Sequence, residues 1–147
     1  MNKLLLLVLA IAAVGCATTS VDSMRAESRR LEDRAVEFYS QIKYEGDNSR
    51  RDRVSRDAQM LVESSRRLNR AIELRASSDQ LVTEFDVVSR DYDQLHKDLA
   101  DAGYADQNRR VLEDFDRVTD AYRVVETQFA TRYSRVGYDS TRRPVRN

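Results

Sequence analysis

Few residues in this 147-residue chain are suited to chemistry: one cysteine, Cys16, one histidine, His96, and three methionines. His96 closes the run Asp93-Gln94-Leu95-His96, with acid and imidazole spaced like the Glu-x-x-His elements that hold paired iron atoms in helical bundles. Such a centre needs two of these elements and two further glutamates, so a single histidine cannot complete it. Haem held by one methionine and one histidine would require Met24 or Met60 to converge with His96. Met24 falls near one end of the apolar pattern described below, and Met60 only neighbours a core position. No Cys-x-x-Cys-His is present for covalent haem. Nucleophilic and phosphate chemistry fare no better, because the chain carries neither a Gly-x-Ser-x-Gly elbow nor a glycine-rich phosphate loop. The neighbouring carboxylates Glu113, Asp114 and Asp116 read as a solvated coat. The expectation is therefore a non-enzyme, with no catalytic, cofactor-binding or metal-ligating residue, no cofactor and no small-molecule substrate.

The basic residues are a different resource. Of 25, 22 are arginine, balanced by 25 acids to a formal charge of zero. A neutral chain is no bulk electrostatic binder of nucleic acid. "RRDRVSRD", from Arg50 to Asp57, puts arginines where a helix N-terminus is already positive, and pairing with an acidic neighbouring helix is the expected explanation. At the other extreme Arg142, Arg143 and Arg146 flank Pro144 in "STRRPVRN". They are candidate contacts to a membrane or a partner, since each arginine near an anionic surface contributes about 1 kcal/mol.

Leu4 to Gly15 forms the one continuous apolar run, 12 residues long, against about 20 needed to span a bilayer. Met1-Asn2-Lys3 before it and small residues after it make it a secretory signal peptide. The stretch Ala13-Val14-Gly15-Cys16 resembles the lipobox of bacterial lipoproteins, with alanine where leucine is commoner. That resemblance covers only the first sixteen residues. It implies cleavage after Gly15, a diacylglycerol thioether at Cys16 and acylation of the new amino terminus. The lone cysteine agrees with it, because an unpaired thiol in an oxidising compartment is a liability unless capped. In lipoproteins of the kind this stretch resembles, an aspartate after the cysteine marks inner-membrane retention; with Ala17-Thr18 there, the resemblance implies the outer membrane of a two-membrane cell, with the domain facing the periplasm. Two acyl chains at about 0.8 kcal/mol per buried methylene would anchor it stably.

What positions these residues is a repeat of apolar and small side chains at alternating steps of three and four. The first series is Val21, Met24, Ser28, Leu31, Ala35, Phe38, Ile42, and the second is Val54, Ala58, Leu61, Ser65, Leu68, Ile72. The third is Leu81, Phe85, Val88, Tyr92, Leu95, Leu99, Ala102, and the fourth is Val111, Phe115, Val118, Tyr122, Val125, Phe129. Each is a two-in-seven seam of the coiled-coil kind, and nothing alternates like a strand. Gly46, Gly103 and Gly137 supply helix stops, and Ser77 with Gln80 spells a capping box. Short connections make neighbours antiparallel. The predicted fold is all-α, an up-down-up-down four-helix bundle with heptad-like seams. Its expected organisation is signal peptide 1–15, lipidated linker 16–20, bundle 21–134 and basic tail 135–147.

Stacking the seams antiparallel places Ala35, Leu61, Tyr92 and Phe115 in one layer and Ser28, Leu68, Phe85 and Tyr122 in another, so small residues face large ones. The tyrosine hydroxyls should reach the rim or bond to a group such as Ser28. Residues 50–75 carry a net charge of +4 and residues 79–101 a net charge of −5, an attraction that selects neighbours more than it stabilises them.

The functional expectation is a lipoprotein of the cell envelope, anchored in the outer membrane through its N-terminal lipid and presenting a non-catalytic helical rod for interaction or scaffolding. Arginines and tyrosines such as Tyr104, Tyr133 and Tyr138 would contact an envelope protein partner. Apolar residues outside the seams (Val36, Val62, Leu74, Val87, Val124) offer a second face for self-association. Two alternatives stand beside this: a ligand- or metal-sensing bundle, which needs His96 buried near Met60 or carboxylates, and a periplasmic chaperone-like lipoprotein, which needs an apolar concave surface.

Overall fold

A computed structural model of the chain describes the backbone of residues 2–43, 49–102 and 109–133, and the side chains of 21–43, 52–102 and 109–133. Four helices and no strand occur among them: α1 (Asn2–Ile42), α2 (Ser49–Glu73), α3 (Ser78–Asp101) and α4 (Arg109–Tyr133). They pack as a four-helix bundle. Antiparallel order follows from what each helix touches: Arg29 reaches Glu73, Arg67 reaches Glu84, Tyr92 reaches Thr119, and Gln128 reaches Ser23. Residues 16–20, read above as a linker, are helical and continuous with the rest of α1. The leucine- and alanine-rich stretch before them has high helix propensity, and one glycine within it costs only about 1 kcal/mol. Among the described residues no helix is long and apolar enough to cross a membrane.

The seams form the core. Every seam residue of α2 and α4 named above is buried, and those of α1 and α3 are buried except Val21 and Ala102, which are half-buried at the ends. Burial on α2 extends beyond its seam to Asp57, Val62, Ser64, Asn69 and Ala71. The α2 backbone runs close to both α1 and α3, whereas α3 and α4 approach each other's backbones at few places. Between α3 and α4 stand rings: Tyr92 stacks on Tyr122 with centroids 4.0 Å apart, and Phe85 on Phe129 at 4.3 Å.

Local chemistry at the α2–α3 turn explains why the two helices lie side by side. The Arg75 N–H donates to the Ile72 carbonyl and the Ala76 N–H to the Ala71 carbonyl, the paired bonds of a Schellman stop. Arg75 takes the left-handed conformation, φ 53°, that glycine usually supplies. Two residues on, the Ser77 hydroxyl accepts from the Gln80 N–H at 3.3 Å, so the predicted cap starts α3. The stops at Gly46, Gly103 and Gly137 lie outside the described residues.

Several details depart from the sequence reading. Tyr122 donates toward Ser89 and Glu126, while Ser28 is fully buried and its hydroxyl has no hydrogen-bond partner among the described residues. The tyrosine spans the wide α3–α4 side, so its tip emerges there and not against α1. Tyr133, expected as a surface contact, is buried against Phe129 at 5.1 Å because it extends the fourth seam by one more step of four. Of the apolar residues outside the seams, Val62 is buried, Val36 packs against the core, and Leu74 and Val124 are exposed.

Candidate functional site

The acids Glu84, Asp91 and Asp98 recur every seven residues and so share one flank of α3. Antiparallel packing sets three residues of α2 against them in reverse order. Glu84 meets Arg67, whose Nε lies 3.6 Å away. Asp91 is half-buried and hydrogen-bonded by Ser64, whose hydroxyl is also 3.2 Å from the Leu61 carbonyl. Asp98 meets Asp57. The same acidic stripe thus finds a cation, then a neutral hydroxyl, then another acid.

That last meeting requires a proton. Asp57 is only 9% exposed, and its Oδ2 has no hydrogen-bond partner among the described residues. Burial pushes its carboxyl up to about 7, helped by a side-chain hydrogen bond with Asp98 and by the charges of Asp98 and Asp91, against the pull of Arg56. Asp98 moves the other way. Its charged form is favoured by the hydrogen bond with Asp57, by Gln94 donating at 3.0 Å, and by the attraction of Arg53 and Lys97, with burial opposing. The two shifts run in opposite directions, favouring a shared proton on Asp57 and the negative charge on Asp98. Such a pair can hold and release one proton near neutral pH.

No protein-family model, curated protein or solved structure matches this chain. The functional reading therefore rests on the chain's own residues.

Cys16 lies within the helical backbone of α1, but its side chain is outside the described residues, as are Arg142, Arg143 and Arg146. His96 is exposed on the flank of α3, its ring 5.7 Å from Phe115 and 6.1 Å from Tyr92, where it ends the aromatic stack. Met24 is buried in the core and Met60 is 45% exposed. His96 packs against Phe115 of α4 and Tyr92 of its own helix. Among the described residues no group of three or more His, Cys, Asp or Glu side chains is arranged to hold a metal.

The carboxylates of α4 correct the expectation of a solvated coat in one place. Glu113 and Asp116 are exposed, but Asp114 is buried beside Phe115 and pairs with Arg117 at 3.1 Å. It lines a cleft of about 430 Å³ with Gln41, Arg109, Arg110, Glu113 and Arg117. Arg109 and Arg117 there are held within their own helix, by Glu113 at 2.9 Å and by Asp114. Arg53 and Arg56, from the basic cluster that opens α2, act through attraction to Asp98 and Asp57.

The sequence alone does not single out the acid pair, because Asp57 belongs to an arginine-rich run and reads as part of its charge pattern. A signal was present. Asp57, Ser64 and Ala71 recur at seven beside the α2 seam, as Glu84, Asp91 and Asp98 do beside the α3 seam, and aligning the two stripes antiparallel sets acid against acid at one end.

Proposed function

We infer that this chain is a lipid-anchored envelope protein: its mature domain is a non-catalytic helical bundle, held to the outer membrane through Cys16 and presented to the periplasm as an interaction or scaffolding module. The observation that carries the reading is the Ala13-Val14-Gly15-Cys16 stretch at the end of a short apolar run, joined to a bundle whose seam positions are closely filled, with apolar side chains except at the small residues Ser28 and Ser65. A filled interior supports a structural role, since a ligand pocket in a bundle is built by leaving core positions polar or open. The α2 helix of 25 residues makes a rod about 37 Å long at 1.5 Å per residue. Its surface is rich in arginine, which suits it to charged partners.

The test is direct. Cys16→Ser should abolish acylation, seen as loss of the lipid mass on the processed chain, and move the protein from the membrane to the soluble envelope fraction. Crosslinking in intact envelopes should then capture a partner with the wild-type chain and less of it with the variant. An unmodified Cys16 in membrane-purified wild-type protein would overturn the anchored reading.

A further inference from the structure

The heptad register of α2 and α3 makes the Asp57–Asp98 contact an anomaly that packing enforces. Glu84 is matched to Arg67 and Asp91 to Ser64, yet the next step of seven along both stripes brings two carboxyl groups together. Asp57 cannot turn away to water, being 9% exposed, and Asp98 is held by Gln94. We propose that the Asp57–Asp98 pair is a proton-operated joint: with one proton it clasps α2 to α3, and without it like-charge repulsion loosens that end of the interface while the rest of the bundle stays packed.

Among the described residues, the charged groups that act on the pair belong to α2 and α3. Asp91 on α3 adds negative charge, whereas Arg53 and Arg56 on α2 and Lys97 on α3 offset part of it. The arginines are exposed, so water screens them. Asp91, itself raised by burial, reinforces the preference for a proton.

The sign follows from linkage. Asp57 is raised in the folded chain from 3.8 to about 7, so its contribution to stability is fully present below about pH 4 and is lost as pH rises through 7. Asp98 is lowered, so its contribution is present above its ordinary range and is lost only in stronger acid. Across the interval from pH 4 to 7 the folded pair binds about one proton more than the unfolded chain. Loosening therefore accompanies alkalinisation.

Amide hydrogen exchange on the full chain in detergent micelles, corrected for the intrinsic pH dependence of exchange, reads the joint. Between pH 5.5 and 8.5 the wild type should lose protection in residues 53–64 and 91–101 by at least several-fold more than in residues 111–125. Asp57→Asn keeps the shape and a donor without the charge, and should flatten that response. Asp98→Asn removes the facing anion and should shift the response to lower pH. Three results would overturn the proposal: equal protection at both pH values in the wild type, a loss spread evenly over all four helices, or the wild-type response persisting in both variants.

Discussion

The α1–α2 side of the bundle and the α3–α4 side use the same heptad spacing and fill it in opposite ways. Between α1 and α2 the seam includes Ser28, Ala35, Ala58 and Ser65, and the helices run close together. Polar contacts edge that interface: Arg29 to Glu73 at 2.6 Å, and Glu32 accepting from Arg66 at 3.0 Å and from Asn69 at 2.6 Å. Between α3 and α4 the same positions hold Phe85, Tyr92, Phe115, Tyr122 and Phe129, and the backbones stand apart with stacked rings between them. Side-chain volume, with the repeat held constant, sets how closely each pair of helices packs. One side is sealed by proximity and the other by area.

The largest effects should come from the aromatic side. Phe85 is fully buried between Phe129 at 4.3 Å and Tyr122 at 6.0 Å, and helices held apart by other rings cannot collapse into the space it would leave. Phe85→Ala should cost about 3–5 kcal/mol in denaturant unfolding. A cost below about 1 kcal/mol would mean the rings do not prop the helices apart. The close side fails by the opposite change. Ala35→Leu adds three carbons where α1 meets its neighbours and should cost about 1–3 kcal/mol through overpacking. Were it neutral or stabilising, the contrast between the two interfaces would break down.

The seams were legible because they need only the period of apolar residues, and Val54 through Ile72 or Val111 through Phe129 reach the core whatever the partner is. Which helices come close was not legible, since that depends on how four stripes share volume: Tyr122 was matched to Ser28 by layer, yet its hydroxyl leaves toward Ser89. Of the buried polar groups beside the seams, Asp114 reads as solvated and Asp57 as part of a basic run, because local composition around both is charged. Only the antiparallel alignment of two flanks, a tertiary fact, shows Asp57 facing Asp98. The side chains of Cys16, Arg142, Arg143 and Arg146 lie outside the described residues.

The turn from α2 into α3, where the closely packed part of the bundle continues, allows a smaller and opposite test. Arg75 holds a positive φ of 53° as the stop residue after α2, at a cost glycine would not incur. Arg75→Gly should stabilise by up to about 1 kcal/mol, the relief of the left-handed backbone exceeding the added freedom of the unfolded chain. Unchanged or lower stability would indicate that the arginine side chain contributes contacts that outweigh the strain.

The smallest effect should be at the polar edge of the close side. Arg66 donates to Glu32 from a largely exposed position, and exposed ion pairs contribute about 0.2–1 kcal/mol, less as salt rises. Asn69, by contrast, is buried and donates to the other oxygen of Glu32. If proximity of small residues does the sealing, Arg66→Ala should be nearly silent at high salt, and Asn69→Ala should cost more at every salt concentration because it strips a partly buried hydrogen bond from the Glu32 carboxylate. Thermal unfolding of both variants at low and high ionic strength separates the two contributions. A large, salt-sensitive loss in Arg66→Ala would instead make charge, and not close packing, the bond between α1 and α2.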